Sequence, residues 1–215
     1  GRIQSRSYRK KIVEGDDNYY YILRYMNPFE EALYGDNFKD PATGYRKYID
    51  VESFAKWYIV AELTANHDPN MYYVMPHRGA KLKKGPLWDS EWSLGTSYRG
   101  GPTDAWAVPP RKPDPHQVIW GNWKYFGRLF QDPYFKEVVK KEWEEFKPRI
   151  PMVKEKLEDV AACINEAQAM NFARWPVIGT YLGASLICLG SWEEEVQYNS
   201  DFLDERVRWM DDFLL

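Results

Sequence analysis

Cysteine is scarce in this chain, and so is any sign of a membrane or secretory segment. The 215 residues hold two cysteines, Cys163 and Cys188, too few for a disulfide framework. Both stand in apolar, helix-like surroundings, which predicts two buried thiols; two residues alone do not establish a bridge between them. No run of eighteen apolar residues occurs, so no segment reads as a transmembrane helix. The opening stretch, GRIQSRSYRKKIVEGDDNYY, is polar from its first residue and carries no signal peptide. Its abrupt start is that of a domain excised from a longer chain, with a leader left open. Charge of one sign is also missing. A net charge of −3 argues against a nucleic-acid or anionic-membrane surface acting through bulk electrostatics. There is no internal repeat and no low-complexity tract, and the sequence sets no oligomeric state.

What the chain has in excess is aromatic side chains, 17% of all residues, with 10 Trp and 16 Tyr. Such rings either fill a large core or form a sugar-binding platform. Most stand at helical or strand spacing, which favours the core. With 44% hydrophobic residues, the chain is long enough for one substantial core.

Taken in order, Arg6–Val13 and Tyr19–Met26 (YYYILRYM) read as two strands around an EGDDN turn. Asn27–Tyr48 reads as irregular, with one short helix near Phe29–Tyr34 and solvent-facing Asp36 and Asp40. Asp50 then caps a helix over Val51–Ala65, where Phe54, Trp57, Tyr58 and Ala61 share one face. Residues 93–117 are rich in proline and glycine and predict a long loop, with Arg99, Asp104, Trp106 and Arg111 as candidate substrate contacts. From Ile119 onward the pattern is helical. Trp123, Phe126, Leu129 and Phe130 form a stripe, and Asp132–Pro133 opens a helix to Phe146. Val153, Leu157, Val160, Ile164 and Ala167 mark one face of a helix over Met152–Met170. Ser191 with Glu194 forms a capping box for a last helix ending near Phe213.

The stretch Val60–Gly95 carries the chemistry. Helix, acidic turn, apolar strand Met71–Met75, basic turn HRGAKLKKG, second strand Pro86–Trp88 and second acidic turn follow in that order. Antiparallel pairing of the two runs would bring Asp68 beside Asp89, although 89 − 68 = 21 positions separate them. Asp68, Asn70, Asp89 and Glu91 would then make an oxygen-rich cluster, the donor type taken by Mg²⁺ and used in phosphoryl transfer. The alternative is a pair of ordinary solvated turns. On this arrangement His77, Arg78, Lys81, Lys83 and Lys84 lie at the far end of the hairpin and read as solubilising charges.

The residues NHDPNMYYVM, the basic turn and PLWDSEWSLG resemble the core of the CotH kinase family, the atypical protein kinases first known from bacterial spore coats. WEEEVQYNSDFLDERVRWMDDFL resembles that family's closing helix. The resemblance covers most of the chain. It implies that Asp68 is the catalytic-loop aspartate, that Asp89 binds metal, and that Asn70 and Glu91 assist, Glu91 standing where the family usually has aspartate. It implies Mg²⁺ or Mn²⁺ and ATP as cofactors, a protein with Ser or Thr hydroxyls as partner, and a place outside the cytoplasm or at a cell surface.

The expected fold is α+β, a kinase-like C-lobe, mostly helical with a small antiparallel β element that carries the acidic site. Residues 1–215 are read as one domain fragment. Within it, 1–49 are a β-rich remnant of the nucleotide-binding lobe, 50–95 the helix and catalytic hairpin, 96–118 the loop and 119–215 the helical region. No Gly-rich phosphate cover or paired lysine is legible in Gly1–Met26, so the chain reads as the C-terminal part of a larger kinase. Two other classes stay open: a metal-dependent phosphoester or glycoside hydrolase using the same acids, and a non-catalytic carbohydrate-binding or cell-surface module. A glycosidase would hold its carboxylates about 5–5.5 Å or 6.5–9.5 Å apart.

Overall fold

The structure is a computed structural model that describes residues 17–66, 72–90, 93–94, 123–181 and 188–214. Among them the protein is mostly helical, with one small antiparallel sheet of two strands. The chain divides into two compact units, Gly1–Ile49 and Asp50–Leu215.

In the first unit, helix α1 spans Asp17–Tyr34 and a single 3-10 turn covers Tyr45–Lys47. The strand expected over Tyr19–Met26 is therefore helix, continuous with the short helix expected at Phe29–Tyr34. The run YYYIL has high strand propensity. Its apolar residues nevertheless continue as Ile22, Tyr25, Phe29 and Leu33, a helical period that buries one face, and packing outweighs propensity. Phe29 and Leu33 are fully buried. Tyr25 sets its ring edge-on to Tyr48 at 5.9 Å and donates its hydroxyl to the Tyr48 carbonyl. Residues 17–49 are thus not a β-rich remnant; Arg6–Val13 lies outside the described residues. Asp36 and Asp40 are exposed as expected. The Asp40 carboxylate accepts from the amides of Ala42 and Thr43 and from the Thr43 hydroxyl at 2.8–2.9 Å. These hydrogen bonds, those from Thr43 foremost, hold its pKa below the usual aspartate value.

The second unit is built on α2, Val51–Leu63, capped by Asp50, whose carboxylate accepts from the Ser53 amide at 3.0 Å. Eight of its thirteen residues are buried, so it is enclosed almost all round rather than on one stripe. Helix α3, Trp123–Leu129, and helix α4, Pro133–Phe146, come next, with Asp132 capping α4 through the Tyr134 amide at 3.1 Å; the loop expected over 93–117 lies, apart from Ser93 and Leu94, outside the described residues. Between α2, α3 and α4 lies an aromatic core. Phe126 stacks on Trp57 at 5.4 Å and meets Tyr58 at 5.5 Å, while Phe130 packs on Tyr58 at 4.7 Å and edge-on to Phe135 at 5.0 Å. Part of the aromatic content fills this core, while Tyr20, Tyr34, Trp88, Tyr134, Trp175 and Tyr181 are exposed.

The helix expected over Met152–Met170 is two, α5 at Ile150–Cys163 and α6 at Asn165–Arg174, broken at Ile164. Its expected apolar face is not a core face: in α5 only Ile150 is buried, α6 buries nothing, and Val160 and Ile164 are exposed. Cys163 and Cys188 are both exposed free thiols, against the expectation of burial. Short β-branched and alanine stretches spaced like a core stripe carry no information about whether another element covers them.

Helix α7, Trp192–Leu214, begins at the Ser191 cap, whose hydroxyl accepts from the Glu194 amide at 3.2 Å. The Glu194 carboxylate reaches back to the Gly190 amide at 2.7 Å, one residue before the usual capping-box partner. Phe202, Leu203, Arg206, Trp209 and Met210 form its buried face. No described helix is long and apolar enough to cross a membrane.

Candidate functional site

The site is organised by the C-terminal end of α2 and the hairpin that follows. Strand β1 is Tyr73–Val74 and strand β2 is Lys83–Lys84, antiparallel with Tyr73 opposite Lys84. The hairpin exists, but its second strand lies inside the stretch read as the basic turn, and Pro86–Trp88 form no strand. The zip of β2 onto α2 explains the shift. Asp50 donates its amide to the Leu82 carbonyl at 2.9 Å, and the Lys84 amide donates to Ser53 Oγ at 3.1 Å. Gly85 then turns the chain at φ +127°, a conformation that favours glycine, toward Asp89.

Lys84 is not a solubilising turn charge. It is buried, with Nζ 3.8 Å from the centre of the Trp57 ring and 4.8 Å from that of Tyr73, and it donates to the Tyr72 carbonyl at 3.1 Å. Burial pushes its ammonium down to a pKa of about 7. The alternation Leu82 buried, Lys83 exposed, Lys84 buried is the period of a strand with one covered face.

Two contacts tie the exit of α2 to the second acidic turn. Leu94 donates its amide to the Thr64 carbonyl at 2.6 Å. Asn66, itself buried, sets its side-chain amide 3.3 Å from Ser90 Oγ. The Ser93 hydroxyl donates to the Ser90 carbonyl and closes the turn. Ala65 packs with Phe202 of α7, and Leu94 and Tyr198 pack against that pair. Burial first, and then the charges of Glu205 and Glu195, raise the Tyr198 pKa. The non-glycine residues with positive φ among those described are Ala65 at +46°, Asp89 at +63° and Leu94 at +55°. All three sit in these two turns, and such strain concentrates where surrounding structure dictates the backbone.

Asp89 is exposed and presents its carboxylate at the surface of the second turn. Asp68, Asn70 and Glu91, with His67, lie outside the described residues, as do Arg99, Asp104, Trp106 and Arg111. Among the described residues no three His, Cys, Asp or Glu side chains come together as a metal cluster. The donor chemistry at hand is hard oxygen, the Asp89 carboxylate and the Ser90 hydroxyl, which suits a hard cation rather than a thiolate-seeking metal.

Behind the α2 exit stands a buried ion pair. Arg206 of α7 donates Nη2 to Glu62 Oε2 at 2.7 Å and Nε to the Glu62 carbonyl at 2.6 Å, with both side chains fully buried. The Arg206 guanidinium also lies 4.1 Å from the Trp209 ring centre. One turn earlier, burial and then the Glu62 charge raise the Tyr58 hydroxyl pKa well above its usual value, with Arg206 opposing. Sequence reasoning passed over Ser90, Glu62 and Arg206 as site-shaping residues and read Lys84 as a solubilising charge.

No curated protein and no solved structure matches the chain. The family model described as CotH kinase protein matches it over residues 2–210, nearly its whole length, and the chain belongs to the CotH kinase family.

Proposed function

We propose that this chain is the C-terminal, C-lobe-like part of an atypical protein kinase that transfers the γ-phosphoryl group of ATP to a Ser or Thr hydroxyl of a protein. The observation that carries the reading is the tie between the two acidic turns, Asn66 to Ser90 and Thr64 to Leu94. Asp68 follows Asn66 by two residues, and Asp89 precedes Ser90 directly. These ties therefore support a single acidic site drawn from both turns, on a family background of kinase-like proteins.

In this scheme Asp68 orients the acceptor hydroxyl and takes its proton. The hydroxyl oxygen bonds to the γ-phosphorus as the bond to the β–γ bridging oxygen breaks, and ADP leaves with that electron pair. Asp89, Asn70 and Glu91 would hold Mg²⁺ or Mn²⁺, which when bound supplies neutralisation of the phosphate charge. Glu91 keeps the charge of the family's aspartate on a longer arm. The hydrogen bonds from Asn66 to Ser90 and from Leu94 to Thr64 support a site that would need little reorganisation during transfer.

Calorimetry of ATP binding with and without Mg²⁺ or Mn²⁺ tests the reading, on this chain and on a form extended upstream of Gly1, with Asp89→Ala as the control. Metal-dependent binding that is lost in Asp89→Ala is the expected result. An extended protein with intact Asp89 that binds no nucleotide overturns it.

A further inference from the structure

The β1–β2 hairpin has two faces, and the phosphotransfer scheme uses neither. Leu82 and Lys84 lie on the covered face. Over Lys81–Lys84 the side chains alternate between exposed and buried, so Lys81 and Lys83 share the outward face. Val74 stands opposite Lys83 in the ladder and is exposed with it. Tyr72, two residues before Val74, continues that face, and the Gly85 amide, 3.0 Å from the Tyr72 carbonyl, carries the pairing one step beyond the strands. Trp88 sets its ring edge-on to Tyr72 at 6.3 Å. The outward face is thus a strip. Trp88 and Tyr72 hold the end next to Asp89, Val74 and Lys83 the middle, and Lys81 the end toward the turn.

Solubility does not account for this strip, because its apolar members are exposed too. Val74 is 44% exposed and Trp88 60%, and apolar side chains grouped beside charges mark interaction surfaces. In charge the strip departs from the rest of the chain. The protein is net acidic at −3, yet no Asp or Glu occurs from Tyr72 to Trp88, where every ionised side chain is a Lys or Arg. Lys83 has Asp50 at 3.6 Å but is half exposed, and a weak pair of that kind yields to an incoming carboxylate. A positive strip on an acidic protein selects acidic partners and disfavours basic ones.

The spacing sets the form of the partner. At about 3.3 Å per residue of extended chain, Lys83 and Lys81 lie roughly two and four residues along from the Trp88 end. A nucleotide fits this polarity poorly. With its base on Trp88, phosphates on Lys83 and Lys81 would point away from Asp89, where transfer needs them.

We propose that the outward face of the β1–β2 hairpin docks the acceptor protein through an extended segment, with an apolar side chain against Trp88 and Val74 and carboxylates on Lys83 and Lys81. The docking itself is independent of the phosphotransfer reading. That the docked protein is the acceptor rests on that reading, because Trp88 directly precedes Asp89.

Fluorescence anisotropy with labelled synthetic peptides tests it, on this chain and on the form extended upstream of Gly1. One peptide carries a serine, a leucine beside it and glutamates two and four residues further on. A second replaces the glutamates with lysines, and a third replaces the leucine with serine. The first is expected to bind about tenfold tighter than either other, and Trp88→Ala and Lys81→Glu are each expected to weaken it about tenfold with the urea midpoint unchanged. Equal or tighter binding of the lysine peptide, wild-type affinity in either variant, or no binding of any peptide overturns the proposal. Displacement of the first peptide by ATP with Mg²⁺ overturns it as well. Phosphate transfer from ATP to the serine is followed in the same samples. The expected binding without transfer keeps the docking face and removes the phosphotransfer reading; transfer to the lysine peptide in preference keeps phosphotransfer and removes the docking face.

Discussion

Arg206 and Glu62 stand 144 positions apart in sequence and form a fully buried ion pair at 2.7 Å. Through it α7 holds the last turn of α2, where the acidic segment begins. The pair is doubly bonded, because the same guanidinium also serves the Glu62 carbonyl. Charge and helix end are coupled in one contact.

That geometry predicts an asymmetric double-mutant cycle. Arg206→Met strands a buried carboxylate and is expected to cost about 3–5 kcal/mol, and Glu62→Leu strands a buried guanidinium at a similar cost. The double variant Glu62→Leu/Arg206→Met removes both charges and is expected to recover most of that loss. Urea denaturation of the four proteins measures it. Additive losses would show that the two charges do not need each other.

Lys84 predicts a stability that rises with pH. Its folded pKa of about 7 lies below the unfolded value of 10.5. Between the two, the unfolded chain binds a proton that the folded chain does not, so stability rises with pH across that window and is independent of this group below it. The slope approaches ~1.4 kcal/mol per pH unit. The ring contacts to Trp57 and Tyr73 hold the ammonium and oppose part of the burial penalty. Lys84→Met is expected to flatten the window and to stabilise the fold below pH ~7 by ~1 kcal/mol or more. Urea midpoints at pH 6, 7, 8 and 9 give the comparison; parallel curves for the two proteins would refute it.

How much of this could be read from residues alone varies by element. The Asp50 and Asp132 caps, α2, α4 and α7 were legible because a capping side chain and a 3.6-residue period coincide at each. The Tyr19–Met26 stretch misled because aromatic residues satisfy both periods until Phe29 and Leu33 are counted with them. The second strand misled because three of its five flanking and constituent residues, AKLKK, are lysines, yet Leu82 and Lys84 share the covered face. Arg206 carried a signal that went unused: it lies four residues after Phe202 and four before Met210, on the apolar stripe of α7. Glu62, between Ala61 and Leu63 and one turn after Tyr58, carried the same one. A charge on a buried stripe at two places implies that the two charges meet. Asn66 and Ser90 had no such signal, since a turn residue's partner across a loop is set by tertiary structure alone.

The tie between the two acidic turns gives the last prediction. Asn66 and Ser90 meet at 3.3 Å, the long end of a neutral hydrogen bond, so Asn66→Ala, Ser90→Ala and the double variant should show a coupling of about 0.5–1 kcal/mol in stability. The effect on function should exceed the effect on stability, because the bond joins the residue two before Asp68 to the residue after Asp89. Asp89 is already held at φ +63°, a region that asparagine and aspartate tolerate better than most residues. A turn released from Asn66 loses one of the contacts that hold that backbone, leaving those of Leu94 and Ser93, and the carboxylate is expected to shift with it. Each single variant is therefore expected to weaken metal-dependent ATP binding about tenfold while lowering stability by no more than about 1 kcal/mol. Ser90→Ala with wild-type nucleotide affinity would mean that the two turns act separately, and that Asp89 does its work without the α2 exit.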